Sequence, residues 1–417
     1  MTSGFDKVCV VGLGYVGLPT AAVIASRGVT VFGADVNESA VALINQGKIH
    51  VAEPGLEMLV QGVVATGNLT ATSQPESADA FIIAVPTPFT GAHTPDISYV
   101  MAAADGIAPL LEPGNLVIIE STCPVGTTEL ISARLAELRT DLSFPHDKGE
   151  TADVKIAHVP ERVLPGRILV ELTVNDRIVG GVAKNCAARA ADLYRLFSDG
   201  KIILTDAKTA ELAKLAENAY RDVNIAFANE LSLVCERFGL DIWETIELTN
   251  RHPRVEILNP GPGVGGHCIS VDPWFIVSNA PEQTPLMRTA RTVNDGMPAH
   301  IVDKVRAAMA EISTPQIACL GMAYKANTND LRESPAVAVI EELAKAKDRI
   351  LVVEPYISAL PDTLSSIESV TLVPLEEAME HADIVVLLVD HREFRQIDRA
   401  LLEHKKVIDT RGIWRAD

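Results

Sequence analysis

The stretch VCVVGLGYVG, residues 8–17, decides the fold of this 417-residue chain. Its first four residues form a β-branched run that predicts a buried strand. Gly12, Gly14 and Gly17 follow with the spacing G-x-G-x-x-G, and residues 21–25 predict a helix. In such a turn the first glycine makes the bend, the second lets the backbone approach a pyrophosphate, and the third lets helix and strand pack closely. The order of strand, glycine turn and helix therefore predicts a dinucleotide-binding Rossmann unit.

An acidic residue sets the choice of cofactor. Residues 30–32 predict the next strand, and Asp35 follows it at about the 20-residue offset from the glycines that dinucleotide sites use. A carboxylate at this place binds the ribose 2′-hydroxyl and repels a 2′-phosphate, so NAD is favoured over NADP. A tight turn without a ligand is the alternative, and the strand–turn–helix context argues against it. We therefore predict an NAD site that also includes Tyr15 and Val16.

The remaining strand pattern predicts two Rossmann-like units. Apolar strands alternate with helical segments in both halves of the chain, which implies parallel, doubly wound sheets. These strands cover residues 80–85, 116–120 and 156–158 in the first half, and 317–320, 350–353, 384–389 and 406–408 in the second. Glu354 takes the place that Asp35 holds in the first unit, but only Gly321 remains of the glycine turn. The second unit is therefore expected to bind a different ligand.

A long helical segment separates the two units. Residues 205–237 lack proline and glycine, Asp206 can cap the start, and Gly239 can end the segment. This predicts one long helix, or two in line, of a kind that spans between domains or forms an oligomer seam. The predicted fold class is α/β, with two Rossmann-like doubly wound parallel-sheet domains joined by a long central helix. The expected domains are residues 1–204 for NAD, 205–310 for the helical centre with the cysteine loop, and 311–417 for the second ligand.

Composition excludes several classes of protein. The formal net charge of −19 argues against a nucleic-acid or acidic-membrane surface, because binding phosphates needs clustered Lys and Arg. No apolar run is long enough to span a bilayer, and the first residues lack the pattern of a signal peptide. The six cysteines are dispersed, with no C-x-x-C pair and no zinc spacing, so no metal site is predicted. We expect a soluble cytoplasmic protein with reduced thiols.

The run GGHCISVD, residues 265–272, places Cys268 after paired glycines. A nucleophilic thiol needs access and a setting that favours thiolate, which a helix beginning near Cys268 would provide. Asp272 either shares a helix face with Cys268 or caps a helix that has Pro273 in its first turn, and the sequence leaves both open. A buried, inert thiol is the ordinary state of cysteine, and we assign it to the other five. Together with the NAD site, Cys268 indicates an enzyme that oxidises an alcohol past the aldehyde to an acid.

Seven segments in one order resemble the UDP-glucose/GDP-mannose dehydrogenase family, and the match runs through nearly the whole chain. They are VVGLGYVGLP at 10–19, AVPTP at 84–88, ESTCPVGTT at 120–128, VPER at 159–162, KLAENAYRDVNIAFANE at 214–230, GPGVGGHC at 261–268 and GMAYKANTNDLRESP at 321–335. The resemblance implies a four-electron oxidation of a sugar nucleotide at C6 with two NAD⁺. Cys268 would form a thiohemiacetal and then a thioester. A dimer and a role in surface polysaccharide synthesis are also implied.

The resemblance also assigns residues. Lys214 and Asn218, which spacing alone would place on a solvated helix face, become groups that stabilise oxyanions and hold water or substrate oxygen. Asp272 and Glu161 would act in acid/base steps and in positioning water. The implied cofactor set adds Thr87, Thr122 and Arg332 to the glycine turn, with Thr122 also lining the catalytic region. The implied substrate set is Glu161, Arg162, Lys214, Asn218, Arg251, His252, Arg254, Gly265 and Lys325, with Arg254 reaching substrate across the dimer.

The residues on either side of Cys268 indicate which sugar the enzyme oxidises. Enzymes of the family that use UDP-glucose carry Lys immediately before the aspartate, where this chain has Val271. Three features resemble those of a branch of the family that oxidises UDP-N-acetyl-D-mannosamine: His267, the Trp274–Phe275 pair and residues 251–254. Loop packing is an alternative explanation for His267 and Trp274. UDP-N-acetyl-glucosamine and UDP-glucose are the alternative substrates. A two-electron dehydrogenase with a structural Cys268, or a non-catalytic nucleotide-sugar binding protein, are alternatives of a different kind.

Overall fold

The computed structural model describes residues 4–91, 93–164, 166–266, 268–346 and 348–415. The chain divides into two compact units, residues 1–216 and 217–417. Within the described ranges, none of the helices combines the length and apolar character that crossing a membrane requires.

The described residues of the first unit form ten strands and eight complete α-helices. Its strands are β1 (Lys7–Val11), β2 (Thr30–Ala34), β3 (Leu69–Thr72), β4 (Ala80–Ile83), β5 (Phe89–Thr90), β6 (Thr94–Pro95), β7 (Leu116–Ile119), β8 (Lys155–His158), β9 (Arg177–Gly181) and β10 (Ile202–Asp206). Its helices are α1 (Gly17–Ser26), α2 (Glu38–Asn45), α3 (Leu56–Ala65), α4 (Ser98–Ile107), α5 (Thr127–Leu138), α6 (Pro145–Lys148), α7 (Ile168–Val174) and α8 (Lys184–Tyr194). Every strand and helix that the sequence predicts in this part of the chain is present.

Eight of these strands form one sheet in the order β10-β9-β8-β7-β4-β1-β2-β3. Six of them are parallel and follow the order of a dinucleotide-binding sheet. In sheet order they are β3, β2, β1, β4, β7 and β8. Along β1, Val8 and Val10 enter one hydrophobic core and Cys9 enters the other, because successive side chains point to opposite faces. Both faces are covered, and this is why the strand is apolar throughout.

The sheet departs from the predicted pattern at one edge. β9 runs antiparallel to β8, pairing Ala157 with Gly181 and His158 with Gly180, and β10 then runs parallel to β9. A Cβ atom on Gly180 would lie 2.5 Å from the Cβ of Ala210, so the close approach of the next helix to this strand requires glycine.

The central helix is continuous. α9 extends over Ala207–Phe238, 32 residues and about 48 Å at about 1.5 Å per residue. At its start the Asp206 carboxylate accepts a hydrogen bond from the backbone N–H of Thr209 (2.9 Å), and at its end Gly239 has φ +67°. Both predicted helix signals are therefore confirmed, and the single-helix alternative is the correct one.

The second unit, which begins within α9, contains a five-stranded parallel sheet. Its helices are α10 (Ile242–Thr249), α11 (Asp272–Asn279), α12 (Pro285–Met309), α13 (Pro335–Ala344), α14 (Asp362–Ser365), α15 (Leu375–His381) and α16 (Arg392–Arg395). Its strands are β11 (Gln316–Leu320), β12 (Arg349–Val353), β13 (Val370–Leu372), β14 (Ile384–Leu387) and β15 (Lys406–Asp409), in the order β13-β12-β11-β14-β15. The predicted second Rossmann-like unit is confirmed.

Glu354 shows how this second unit differs from the first. Its carboxylate is buried and accepts hydrogen bonds from the backbone N–H groups of Met322 (2.7 Å) and Ala323 (3.1 Å). His391, also buried, lies 3.2 Å from the same carboxylate. The acid therefore fixes the turn that follows β11.

Candidate active site

The glycine turn has the geometry that its sequence predicts. Gly12 has φ +94°, and a Cβ atom there would lie 2.6 Å from the carbonyl oxygen of Ala84. At Gly17, the first residue of α1, a Cβ atom would lie 1.8 Å from the carbonyl oxygen of Gly12. No heavy atom lies within 4 Å of a Cβ built on Gly14, so the backbone is open on that side. This turn at a helix N-terminus fits a pyrophosphate.

Asp35 lies beside the turn. Its carboxylate accepts hydrogen bonds from the backbone N–H of Leu13 (2.8 Å), inside the glycine turn, and from that of Asn37 (2.8 Å). This places a negative charge next to the turn, where it suits a ribose hydroxyl and repels a phosphate. The residues present thus fit NAD.

Three further predicted residues follow strands of the same sheet. Thr87 follows β4, Thr122 follows β7 and Glu161 follows β8. These three strands are parallel, so all three residues lie at the carboxyl edge of the sheet, where ligands of open α/β folds bind. Thr87 and Glu161 are buried, and Thr122 is half-buried.

Glu161 is held by a buried arginine. Its carboxylate accepts a hydrogen bond from Nη1 of Arg177 (3.0 Å) and another from the backbone N–H of Arg162 (2.7 Å). The Arg177 guanidinium lies over the ring of Tyr194, 4.9 Å from its centroid. Because both members of the Glu161–Arg177 pair are almost fully buried, the carboxylate has a fixed position.

A second buried carboxyl lies close to Glu161. Glu120 accepts hydrogen bonds from the hydroxyls of Tyr194 (3.0 Å) and Thr20 (3.3 Å). The pKa of Glu120 is raised to about 8, mainly by burial and then by the charge of Glu161, while Arg177 opposes both effects. Glu120 is therefore protonated at neutral pH.

α9 brings Lys214 to this region of the first unit. Glu211, one turn earlier, is fully buried and accepts hydrogen bonds from the backbone N–H groups of Gly126 (2.6 Å) and Thr128 (2.8 Å). It thereby caps α5 and ties the segment containing Thr122 to α9. Burial lowers the pKa of His158 to about 3, and the nearby Lys214 charge contributes to this shift. Lys214 is therefore close to the carboxyl end of β8.

In the second unit, Cys268 lies on a loop that is packed against a neighbouring segment. Cys268 is exposed, whereas the other five cysteines are buried. The backbone N–H of Gly266 donates to the carbonyl of Arg332 (3.0 Å). A Cβ atom on Gly265 would lie 2.5 Å from the carbonyl oxygen of Glu333 and 2.8 Å from Cβ of Tyr324. The paired glycines thus permit a contact that no larger residue allows.

The structure shows where Asp272 lies relative to the helix that follows Cys268. Helix α11 begins at Asp272 itself, and Cys268 precedes it by one turn, with its carbonyl accepting the N–H of Asp272 (2.8 Å). Cys268 is therefore not the first residue of a helix, and Asp272 is not a cap. The Asp272 carboxylate is buried and accepts a hydrogen bond from the side-chain amide of Asn218 (2.5 Å) on α9. Asn218, Asp272 and Cys268 are thus brought together within one unit.

Five of the basic residues expected at the substrate or the cofactor are exposed, whereas Arg162 and Lys214 are half-buried. Arg251, His252 and Arg254 lie after α10, and Arg251 pairs with Glu247 (2.9 Å). Lys325 is exposed after β11, and the Arg332 guanidinium pairs with Asp330 (2.6 Å). In the first unit the Arg162 guanidinium donates to the carbonyl of Asp176 (3.3 Å). His267 lies outside the described residues.

Comparison with known proteins assigns the family. Models of the UDP-glucose/GDP-mannose dehydrogenase family match three successive parts of the chain: the NAD binding domain at residues 6–198, the central domain at 208–296 and the UDP binding domain at 318–416. The chain belongs to this family. It is an NAD-dependent dehydrogenase of nucleotide sugars, so the two Rossmann-like units, each with its own ligand, are accounted for.

Individual relatives of this dehydrogenase cover its whole length. The NDP-N-acetyl-D-galactosaminuronic acid dehydrogenase of Ralstonia nicotianae is 56% identical over 99% of this chain and 97% of its own. The UDP-N-acetyl-D-mannosamine dehydrogenase of Salmonella typhimurium is 53% identical over 99% of this chain and 100% of its own. Among solved structures, the UDP-D-ManNAc dehydrogenase of Pyrococcus horikoshii has a TM-score of 0.88 at 40% identity, covering 99% of this chain and 96% of its own.

Three residues around the predicted site of this dehydrogenase had no sequence signal that singled them out. Arg177 opens a strand that was not predicted, and Glu211 reads as an ordinary helical glutamate. Glu120 belongs to the ESTCPVGTT segment, but its burial becomes visible only once β7 is placed inside the sheet. An acid at the end of a central strand was the one available hint.

Proposed function

We propose that this dehydrogenase oxidises UDP-N-acetyl-D-mannosamine at C6 to UDP-N-acetyl-D-mannosaminuronate, through a covalent adduct on Cys268. The observation that carries the covalent step is the contrast among the cysteines, because Cys268 is the exposed one of the six. Burial raises the pKa of Cys9 to about 11 and that of Cys319 to about 12, which keeps those thiols protonated. A thiol must be accessible to attack a substrate carbonyl.

The chemistry balances as two oxidations and one hydrolysis. NAD⁺, when bound at the glycine turn, accepts one hydride in each oxidation. The C6 alcohol loses a hydride and a proton to give the aldehyde, and the Cys268 sulfur adds to its carbonyl carbon to form a thiohemiacetal. Loss of the second hydride and a proton gives a thioester, and water cleaves it to the acid and the thiol. The adduct keeps the intermediate bound between the two oxidations.

The position of each group supports the role that we propose for it. Asp272 is buried beside the cysteine loop and hydrogen-bonded to Asn218, so this pair can hold a water or a substrate oxygen. Lys214 lies four residues before Asn218 on one face of α9, where its charge can stabilise an oxyanion. Glu161, fixed by Arg177, can orient the hydrolytic water. We further propose that Thr122 lines the nicotinamide region and that Lys325, Arg251 and His252 bind the nucleotide sugar.

The choice of sugar rests on the relatives and on Val271. Val271 is an apolar, buried residue, and because it is a valine this position offers no basic group to the substrate. One relative is named for N-acetyl-D-mannosamine and another, at similar identity, for N-acetyl-D-galactosaminuronic acid. UDP-N-acetyl-D-galactosamine is therefore the second candidate, beside UDP-N-acetyl-glucosamine and UDP-glucose.

A panel of UDP-sugars tests the assignment. NADH formation is measured with UDP-N-acetyl-mannosamine, UDP-N-acetyl-glucosamine, UDP-N-acetyl-galactosamine and UDP-glucose at equal concentrations. We expect the highest kcat/KM on the mannosamine derivative and two NADH for each sugar consumed. One NADH per sugar would instead indicate a two-electron dehydrogenase, and tight binding without turnover would indicate a non-catalytic binding protein.

We also propose a homodimer formed through α9. Four apolar residues of this helix are exposed, at successive intervals of seven, seven and four residues. They are Tyr220 (71%), Phe227 (55%), Val234 (44%) and Phe238 (71%). At about 3.6 residues per turn they form a single apolar stripe, which we call the α9 stripe. An exposed stripe of this length is typical of a helix that packs against a partner. In such a dimer Arg254 could reach the substrate of the partner subunit.

Domain limits and cellular context complete the proposal. We propose limits at residues 204 and 310, where α9 and the second sheet are about to begin. We also propose that the enzyme works in the cytoplasm and supplies a uronic acid for surface polysaccharides, as the resemblance implies.

A further inference from the structure

The side of α9 opposite the α9 stripe carries a line of polar residues. Asn218, Asp222 and Asn229 are spaced by four and seven residues, so they lie on one face of the helix. Asp222 and Asn229 are fully buried. Buried polar side chains persist where their hydrogen bonds are satisfied, so the partners of this line indicate what it does.

Asp222 anchors the line to α12. Its carboxylate accepts hydrogen bonds from Nη1 of Arg291 (2.6 Å) and from the side-chain amide nitrogen of Asn294 (2.8 Å). Arg291 and Asn294 are themselves buried. The same nitrogen donates to the backbone carbonyl oxygen of Asp222 (3.0 Å), and because a carbonyl can only accept hydrogen bonds, Asn294 must turn its NH₂ group toward Asp222.

The orientation of the Asn294 amide in turn fixes the orientation of the Asn229 amide. With its NH₂ on Asp222, Asn294 presents its oxygen to the side-chain nitrogen of Asn229 (2.9 Å). Asn229 then presents its own oxygen to the backbone N–H of Gly261 (2.9 Å). Each amide therefore has a single orientation, and the relay ends on the first residue of the GPGVGGHC segment.

The segment between Gly261 and Cys268 is held at both ends. Gly261 is bound by Asn229, and beyond Cys268 the Asp272 carboxylate is bound by Asn218. The two asparagines are 11 residues apart on α9, about 16 Å along the helix axis at about 1.5 Å per residue. Gly266, nearer to Cys268, is also held, because its backbone N–H donates to the carbonyl of Arg332 (3.0 Å). Four of the residues from Gly261 to Gly266 are glycines, which leave the backbone many conformations, so these anchors together limit where the thiol lies.

We propose that Asn229 is a positioning residue for Cys268, acting through its hydrogen bond to the Gly261 backbone and oriented by Asn294 and Asp222. Asn229 touches neither substrate nor cofactor in this role. The proposal rests on the proposed function, in which Cys268 captures the aldehyde. A displacement of about 1 Å in a reacting group is enough to slow catalysis about a hundredfold, so one anchoring bond has a measurable effect.

The test compares Asn229→Ala with Asn224→Ala. Asn224 is on the same helix, and its side chain donates to the carbonyl of Tyr220 within α9, so it matches Asn229 in residue type without joining the relay. Hydrogen exchange of the Gly261 amide is measured first. In the wild-type enzyme and in Asn224→Ala we expect protection, and in Asn229→Ala we expect exchange about tenfold faster, the effect of one lost hydrogen bond.

The second measurement is the fate of the aldehyde. Hydroxylamine present during turnover captures aldehyde that leaves before the second oxidation. We expect Asn229→Ala to release several-fold more aldehyde per acid formed while KM for NAD and for the UDP-sugar stays within about twofold of wild type. A merely destabilised protein would lose active enzyme without changing this ratio. Asn294→Ala, which frees the orientation of Asn229, is expected to show a smaller change in the same direction.

Three results would overturn the proposal: rapid exchange of Gly261 in the wild-type enzyme, an aldehyde ratio in Asn229→Ala equal to that of Asn224→Ala, or no change in either measure in Asn294→Ala. The exchange measurement on the wild-type enzyme gives an answer even where a variant fails to fold. Failure of the proposed function has a different signature, since no sugar would then yield two NADH while the exchange of Gly261 would still report on the anchor.

Discussion

Accessibility separates Cys268 from the other thiols of the chain, and a substitution can use this contrast. In Cys268→Ser the weaker nucleophile cannot trap the aldehyde, so we expect acid formation to fall by about a thousandfold or more. One NADH per sugar should still form on a slow first turnover. Cys235→Ala, which removes a buried thiol from α9, serves as the control and should keep two NADH per sugar. Acid formation by Cys268→Ser at the wild-type rate would refute the covalent route.

The Glu120 carboxyl predicts a pH dependence of stability. The groups that face it are the hydroxyls of Thr20 on α1 and Tyr194 on α8, the Glu161 carboxylate after β8 and Arg177 on β9. Its pKa is about 8 in the folded protein against 4.5 as the ordinary value. Between these values the folded state holds a proton that the unfolded state has lost, so this group's contribution to stability falls as pH rises from about 4.5 to about 8.

Glu120→Gln tests that dependence because the amide keeps the size and cannot ionise. From pH 5 to pH 8 we expect the free energy of unfolding to decline less in the variant than in the wild type. The difference is about 1.4 kcal/mol for each unit by which the pKa of Glu120 is raised. Urea unfolding at several pH values measures it. Parallel declines in the two proteins would show that Glu120 is ionised in the folded state.

At the scale of elements, Glu211 joins α9 to the start of α5. In Glu211→Ala the backbone N–H groups of half-buried Gly126 and buried Thr128 lose their acceptor, and we expect a loss of about 2–4 kcal/mol in the free energy of unfolding. Glu230→Ala, at an exposed position of the same helix, should change stability by less than about 0.5 kcal/mol. Chemical denaturation of both variants gives the comparison, and equal midpoints would contradict the capping role.

The elements that the sequence predicts are those whose patterns are local. β1 is apolar along its length and α9 has both a cap and a terminal glycine, so each is visible in a short window. β10 is largely exposed and β3 has only four residues, so the sequence patterns of both strands are weak. The reversal of β9 depends on its partner strand, and no single strand encodes its direction.

The same limit applies to the candidate site. The glycines, Asp35 and Cys268 carry their chemistry in the sequence itself. The bond between Glu161 and Arg177 joins a residue that follows β8 to one on β9, and the relay from Asp222 to Gly261 joins two helices and a loop. Such pairings appear only when the fold brings distant segments together.

For the whole molecule, the α9 stripe predicts the state of association. Phe227→Glu places a charge at the centre of this apolar surface, so we expect it to convert a dimer into a monomer at micromolar concentration. Met58→Glu changes an apolar residue on α3 that is more exposed than Phe227, and it should leave association unchanged. Sedimentation velocity measures both variants. If the wild-type protein sediments as a monomer, the α9 stripe is not a dimer interface.

The contact of Gly265 and Gly266 with Tyr324 has a consequence for enzyme engineering. A Cβ atom on Gly265 would meet the backbone carbonyl of Glu333 and Cβ of Tyr324, neither of which can move aside easily, and Gly266 has φ +83°, which L residues rarely adopt. Libraries that randomise these two positions to change the accepted sugar will consist mostly of misfolded members. Diversity is better placed at Trp274, half-buried on α11, where the helical backbone conformation does not require glycine.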